Sequence, residues 1–127
     1  MIYGIGTDIV AVSRMTSNLD QYGDKFARKI LTDAEFADFQ RAPSQAHFLA
    51  KRFAAKEATA KALGTGFSQG LSLKHIGVSH DAHGKPLLEY FERAKELVEE
   101  LGIEQSYISI ADEAEHAVAF VTLSRDG

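Results

Sequence analysis

Glu57 and Lys61 stand four residues apart in an alanine-rich stretch of this chain. Helical geometry puts them about 40° from one another around a common axis, on an arc that also carries Ala50 and Ala54. Small side chains let another backbone approach closely, so the two charges are set inside a packed cleft. A matching bare surface exists near the N-terminus, where Gly4, Gly6 and Asp8 alternate with Tyr3, Ile5 and Ile9. If strand and helix pack there, Asp8 and Glu57 converge beside Lys61. Mg²⁺ prefers oxygen ligands and commonly takes one or two protein carboxylates, leaving its other positions to water and substrate phosphate. With Lys61 beside it, such an ion neutralises a diphosphate and the charge that builds on its leaving oxygen. The plainer alternative is an ordinary helix pair contributing about 0.3–0.5 kcal/mol, with Asp8 closing a strand or turn.

Other residues carry less chemical information. Arg52 and Lys56 form a second i, i+4 pair, about 140° and 100° around the helix from Glu57, and either meet a phosphate at a rim or lie in solvent. Gly64-Thr65-Gly66 follows the helix, so it reads as a helix stop and not as a phosphate-cradling loop before one. Arg14, Lys25, Arg28 and Lys29 form a local basic surface, which either steers an acidic partner or is a solvated face. His47, His75, His80, His83 and His116 show no zinc-ligand spacing, and no serine sits in a nucleophile elbow.

The elements that must position these groups follow from periodicity. Met1–Val12 alternates as a strand. Ser13 is the expected cap of a short helix through Met15 and Leu19 toward Tyr22, and Thr32-Asp33-Ala34-Glu35 spells a capping box ahead of Phe36 and Phe39. After Pro43, Ser44 opens the longest helical pattern, ended at Leu63 by Gly64. His75–Val78 and Pro86–Leu88 read as a hairpin about the turn Asp81–Gly84, with Lys85 and Pro86 at its mouth. Tyr90–Leu101 repeats at helical spacing up to Gly102, and Ser106–Ala111 and His116–Leu123 read as closing strands. The expected fold is one α+β domain spanning residues 1–127, an antiparallel sheet packed with a long central helix.

The chain has 127 residues, 45% of them hydrophobic and 25% charged, the mixture of a single folded domain. Its formal net charge of −4 points away from nucleic acid, and no apolar run is long enough for a membrane. The absence of cysteine and of a secretory pattern at Met1–Ile5 points to the cytoplasm.

Gly4-Ile5-Gly6-Thr7-Asp8-Ile9-Val10 and Phe53-Ala54-Ala55-Lys56-Glu57-Ala58-Thr59-Ala60-Lys61-Ala62-Leu63-Gly64-Thr65-Gly66 resemble, in order and separation, the two signatures of holo-acyl-carrier-protein synthases. Gly84-Lys85-Pro86 resembles a third segment of that family, a branch of the 4'-phosphopantetheinyl transferases. The resemblance implies a small α+β fold, trimeric association with active sites at subunit interfaces, and Mg²⁺-dependent transfer of 4'-phosphopantetheine from coenzyme A to a serine of an acyl carrier protein. It also implies that Asp8 and Glu57 hold the metal and that Lys61 lies beside the diphosphate. By the same resemblance Arg52, Gly64, Thr65, Gly66, Lys85 and Pro86 lie near coenzyme A. Arg14, Lys25 and Arg28 would receive the acidic carrier. One departure stands out: where many members have a histidine after Ser-Ile-Ser, this chain has Ala111, and His116 or a basic group of a neighbouring subunit is the expected replacement. The alternatives are another Mg²⁺-dependent diphosphate-cleaving enzyme, or a non-catalytic module that binds carrier or nucleotide.

Overall fold

In the computed structural model, which describes residues 1–126, the N-terminal alternation forms strand β1 (Ile2–Ala11). Three short helices follow, α1 (Val12–Tyr22), α2 (Asp24–Ile30) and α3 (Asp33–Gln40). The central helix α4 (Gln45–Leu63) leads into the hairpin β2 (Ile76–His80) and β3 (Pro86–Tyr90). Helix α5 (Glu92–Glu100) and the strands β4 (Gln105–Asp112) and β5 (His116–Ser124) complete the chain. No helix among the described residues is long and apolar enough to cross a membrane.

All strand pairing is antiparallel but divided between two sheets, β1-β5-β4 and β2-β3. Pairing of the first strand with the last is a long-range contact that no hairpin signal announces. It lays Gly6 opposite Val121 and Asp8 opposite Ala119. The inner face of β5 (Ala117, Ala119, Val121, Leu123) is fully buried under α4, whose Ala50, Ala54, Ala58 and Ala62 are themselves buried. Glycine in β1 makes this packing possible. A Cβ built on Gly4 would collide with the Ala62 carbonyl oxygen, and one on Gly6 with that of Ala58. The backbone of β1 therefore rests directly on α4, and the next residue inward on that face is Asp8.

The local signals resolve as follows. Thr32 accepts from Glu35 N (3.2 Å) while Glu35 Oε1 accepts from Thr32 N (2.9 Å), the reciprocal capping box expected there. Ser44 caps α4, and Gly64, at φ 85°, ends it in the left-handed conformation that glycine adopts without strain. Ser13 is not a cap: α1 begins one residue earlier, Ala11 takes the cap position, and no side chain bonds there. The last helix also begins later than its periodicity suggests. Tyr90 pairs with Ile76 as the end of β3, and its side chain helps bury the junction with β4 through Ser106.

Candidate metal and phosphate site

Asp8 projects from β1 on the glycine face, and α4 presents Glu57 and Lys61 to it. Lys61 Nζ donates to Asp8 Oδ1 at 3.1 Å and to the Thr7 carbonyl at 3.0 Å, joining helix to strand. The Asp8 side chain is 17% exposed and that of Lys61 is 53% exposed, so the pair lies at the mouth of the cleft. Burial and then the Asp8 charge push the Glu57 carboxyl above its ordinary value, while Lys61 and Arg14 pull it back. The site therefore has two close carboxylates, and the Glu57 carboxylate makes no hydrogen bond to any described residue. Two half-desolvated carboxylates with spare lone pairs fit a hard divalent cation whose remaining ligands are water or phosphate. No group of three or more acidic, histidine or cysteine ligands exists among the described residues, so any ion here would take most of its ligands from elsewhere.

Arg14, on α1, stacks its guanidinium 5.1 Å from the Phe53 ring centroid and lies close enough to act on Glu57. Lys25 and Arg28 are in a different place. With Lys29, Lys74 and Ser72 they line an open cavity of about 660 Å³ between α2 and the turn Leu73–His75. Arg28 is braced there with its guanidinium 3.8 Å from the Phe36 ring centroid. Lys74 is the member of this cationic cluster that sequence spacing gave no reason to include.

The second charged pair of α4 is neither solvated nor at a rim as a whole. Lys56 is fully buried, and its ammonium donates to Ile30 O and Glu35 Oε1 at 2.6 Å each and to Leu73 O at 3.1 Å. All three of its protons are used inside the protein, and burial drives its pKa down against the opposing pull of Glu35. Arg52 is 6% exposed, and its Nη1 donates to Glu35 Oε2 at 3.3 Å and to Val78 O at 3.1 Å. The guanidinium also lies 4.4 Å from the Phe48 ring centroid. It borders a small cavity of about 170 Å³ shared with Lys51, His80, Pro86 and Asp112. Burial, with the charges of Arg52 and Lys51, holds the His80 imidazole below its usual range.

Pro86 reaches this cavity because β3 pairs it with His80. Lys85 lies in the hairpin turn, where its N–H and that of His83 bond Asp81 Oδ1 and hold that carboxyl below its ordinary value. Gly64, Thr65 and Gly66 form the helix stop, Gly66 N donating to Ala60 O at 3.2 Å. His116 shares a cavity with Ala111 and Ile9 and is bonded to Glu113 through Nδ1 at 3.1 Å. Asp8, Glu57, Lys61 and Arg14 are thus gathered on the β1 side of α4. Arg52 and Pro86 are gathered on the hairpin side, in keeping with the turn of about 140° between Arg52 and Glu57.

Comparison with known proteins assigns the chain to a family. The pattern of the 4'-phosphopantetheinyl transferase superfamily matches residues 4–121. A holo-[acyl-carrier-protein] synthase of Nitrosococcus oceani is 60% identical over 123 residues, covering 97% of this chain and 80% of that protein. The crystal structure of the Neisseria meningitidis holo-[acyl-carrier-protein] synthase superposes with a TM-score of 0.93 at 45% identity, covering 98% of this chain and 100% of that one. That of Bacillus anthracis, solved in complex with CoA (3',5'-ADP), superposes with a TM-score of 0.84 at 36% identity, covering 99% of both chains. With the family pattern matched over residues 4–121, a relative at 60% identity and the whole fold shared at this level, the chain belongs to the 4'-phosphopantetheinyl transferase superfamily, among its holo-[acyl-carrier-protein] synthases.

Proposed function

We propose that the chain transfers the 4'-phosphopantetheine moiety of coenzyme A to a serine of an apo acyl carrier protein, releasing adenosine 3',5'-bisphosphate. The observation that carries this is the convergence of Asp8, Glu57 and Lys61 across the seam between β1 and α4. Asp8 and Glu57 would hold Mg²⁺, which when bound offsets the charge of the diphosphate. Lys61, anchored by Asp8 and the Thr7 carbonyl, directs its ammonium toward the departing bisphosphate. The carrier serine Oγ attacks the β-phosphorus of coenzyme A in line with the anhydride oxygen. The new P–Oγ ester forms as the P–O bond to the bisphosphate breaks, and the serine proton passes to Glu57 or to a water held beside it.

Arg52 and Pro86, with the Gly64–Gly66 turn and Lys85, belong to the coenzyme A surface in this reading. Arg14, Lys25 and Arg28 belong to the carrier surface, where Lys29 and Lys74 add cations for an acidic partner. His116 lines a cavity with Ala111, which supports it, beside a basic group of a neighbouring subunit, as the replacement for the family histidine.

Association as a homotrimer is supported by the outer face of the β1-β5-β4 sheet. Ile5 (59% exposed), Ile9 (66%), Tyr107 (54%) and Phe120 (48%) stand there with Val118, a contiguous apolar surface of the kind that marks an interface. Subunit contact would also explain why the carboxylate site and the Arg52 cavity face different sides of α4: one coenzyme A would span two subunits. Cytoplasmic location accords with a carrier and coenzyme A as substrates and a chain without cysteine.

The test is intact-mass spectrometry of an apo carrier incubated with the protein, coenzyme A and Mg²⁺, beside a chelator control. A metal-dependent gain of one phosphopantetheine is the expected result. No gain with several carriers, from folded protein, would overturn the reading.

A further inference from the structure

Glu35 begins as a capping residue and ends as the hub of the interior. It is 2% exposed and accepts four hydrogen bonds, one from the cap residue of its own helix, two from α4 and one from β2. Oε1 takes Thr32 N at 2.9 Å and Lys56 Nζ at 2.6 Å. Oε2 takes Val78 N at 2.9 Å and Arg52 Nη1 at 3.3 Å. A cap at a helix start needs only the first of these, so the capping role does not account for the residue.

The consequence falls on Arg52. Its Nη1 is fixed from two sides by Glu35 and the Val78 carbonyl, and the Phe48 ring covers one face of the guanidinium. Nε and Nη2 bond to no described residue. No buried side-chain nitrogen among the described residues is left without a partner, so this free edge must open outward, and Arg52 lines the small cavity with Lys51 and His80. One carboxylate faces two buried cations, which leaves a positive excess beside the cavity, joined by Lys51 and opposed by Asp112. At about 170 Å³ the cavity is smaller than the roughly 300–1,000 Å³ of a site for a whole small molecule, and suits a single group of a larger ligand. A planar fork with two parallel donors is the arrangement that recognises phosphate oxygens.

We propose that Glu35 is a positioning residue for substrate binding: it locks Arg52 through Nη1 so that the Nε–Nη2 edge stands in the cavity as a rigid receptor for one phosphate of the coenzyme A nucleotide. This rests on the transferase reading above. Because Glu35 also holds Val78 N, it fixes the hairpin that brings His80 and Pro86 to the same cavity.

The experiment compares Glu35→Gln, Arg52→Lys and the double variant, each verified as folded by circular dichroism at the assay temperature. Glu35→Gln keeps the volume but turns an amide NH₂ toward donors. It should raise KM for coenzyme A about tenfold, the equivalent of one charge-assisted hydrogen bond, with the change falling on that constant and not on KM for the carrier. The double variant should be no worse than Arg52→Lys alone, because both changes remove one interaction. Additive effects, or a lowered melting temperature with KM for coenzyme A unchanged, would reduce Glu35 to a structural residue and overturn the proposal. A second measurement needs no Glu35 variant and no turnover: adenosine 3',5'-bisphosphate is titrated into the ¹⁵N-labelled wild type while the Arg52 Nε–H resonance, assigned by its loss in Arg52→Lys, is followed. A shift with slowed exchange upholds the receptor edge, and an unmoved resonance at saturation overturns it. If the wild type transfers nothing to a carrier, the transferase reading fails separately, and this titration still decides the cavity.

Discussion

Lys61 Nζ sits 3.1 Å from Asp8 Oδ1, an ion pair between residues 53 positions apart that exists only because Gly4 and Gly6 let β1 lie on α4. The second oxygen of Asp8 bonds to no described residue. Asp8→Asn should retain the fold and abolish Mg²⁺-dependent transfer, read as loss of the phosphopantetheine mass gain. Full activity in Asp8→Asn and in Glu57→Gln alike would remove the proposed ion site.

Glu57 gives a pH signature. Its carboxyl is raised in the folded protein by burial and by Asp8, so the native state holds that proton more tightly than the unfolded chain. Metal-free stability from this group is therefore present at low pH and lost as pH rises from the ordinary value of 4.5 through the raised one. Glu57→Gln should raise the metal-free melting temperature at pH 7, and adding Mg²⁺ should stabilise the wild type more than the variant. A variant no more stable than wild type in chelator would contradict this account of the site.

Gly6→Ala tests the seam. The added methyl would meet the Ala58 carbonyl oxygen, a backbone atom that cannot rotate away. Overpacking of this kind costs about 1–3 kcal/mol or more, visible as a lower urea midpoint. Transfer should fall with it, since any relief moves Asp8 away from Lys61.

Phe120→Glu on the outer sheet face should leave the monomer fold intact, because Phe120 is 48% exposed and only its neighbours on that face would meet it. Size-exclusion chromatography with light scattering should then report monomer in place of a larger assembly, with activity lost. An unchanged mass would place the subunit contact elsewhere.

Lys25→Glu separates partner binding from chemistry better than a change at Arg14, whose charge acts on Glu57 directly, or at Arg28, which is stacked on Phe36. The reversal should raise KM for the carrier several-fold, with KM for coenzyme A unchanged. The effect should shrink as salt rises and screens the charge. Equal losses for both substrates would count against the cavity of Lys25 and Lys74 as the carrier's contact.

The sequence by itself determined the start of α3, both ends of α4, the hairpin and the neighbouring of Glu57 and Lys61, because each of these is local. Thr32 with Glu35, Ser44, Gly64 and the Asp81–Gly84 turn act over a few residues, and i, i+4 spacing alone sets Glu57 beside Lys61. Even the approach of Asp8 could be read, since glycine opposite alanine leaves little but backbone to pack.

Tertiary structure decided what distance in the chain conceals. Pairing of β1 with β5 set the register that aims Asp8 inward, and Tyr90 joined a strand because Ile76 was there to pair with it. Ser13 lost its capping place to Ala11 because α1 starts directly from the end of β1. Arg52 and Lys56 could not be recognised as interior groups, because a charge is affordable there only when a partner waits. That partner, Glu35, comes from another helix and also binds Val78 N on a strand. Burial of charge depends on the whole set of hydrogen bonds that compensates desolvation, and that set is assembled only by the fold.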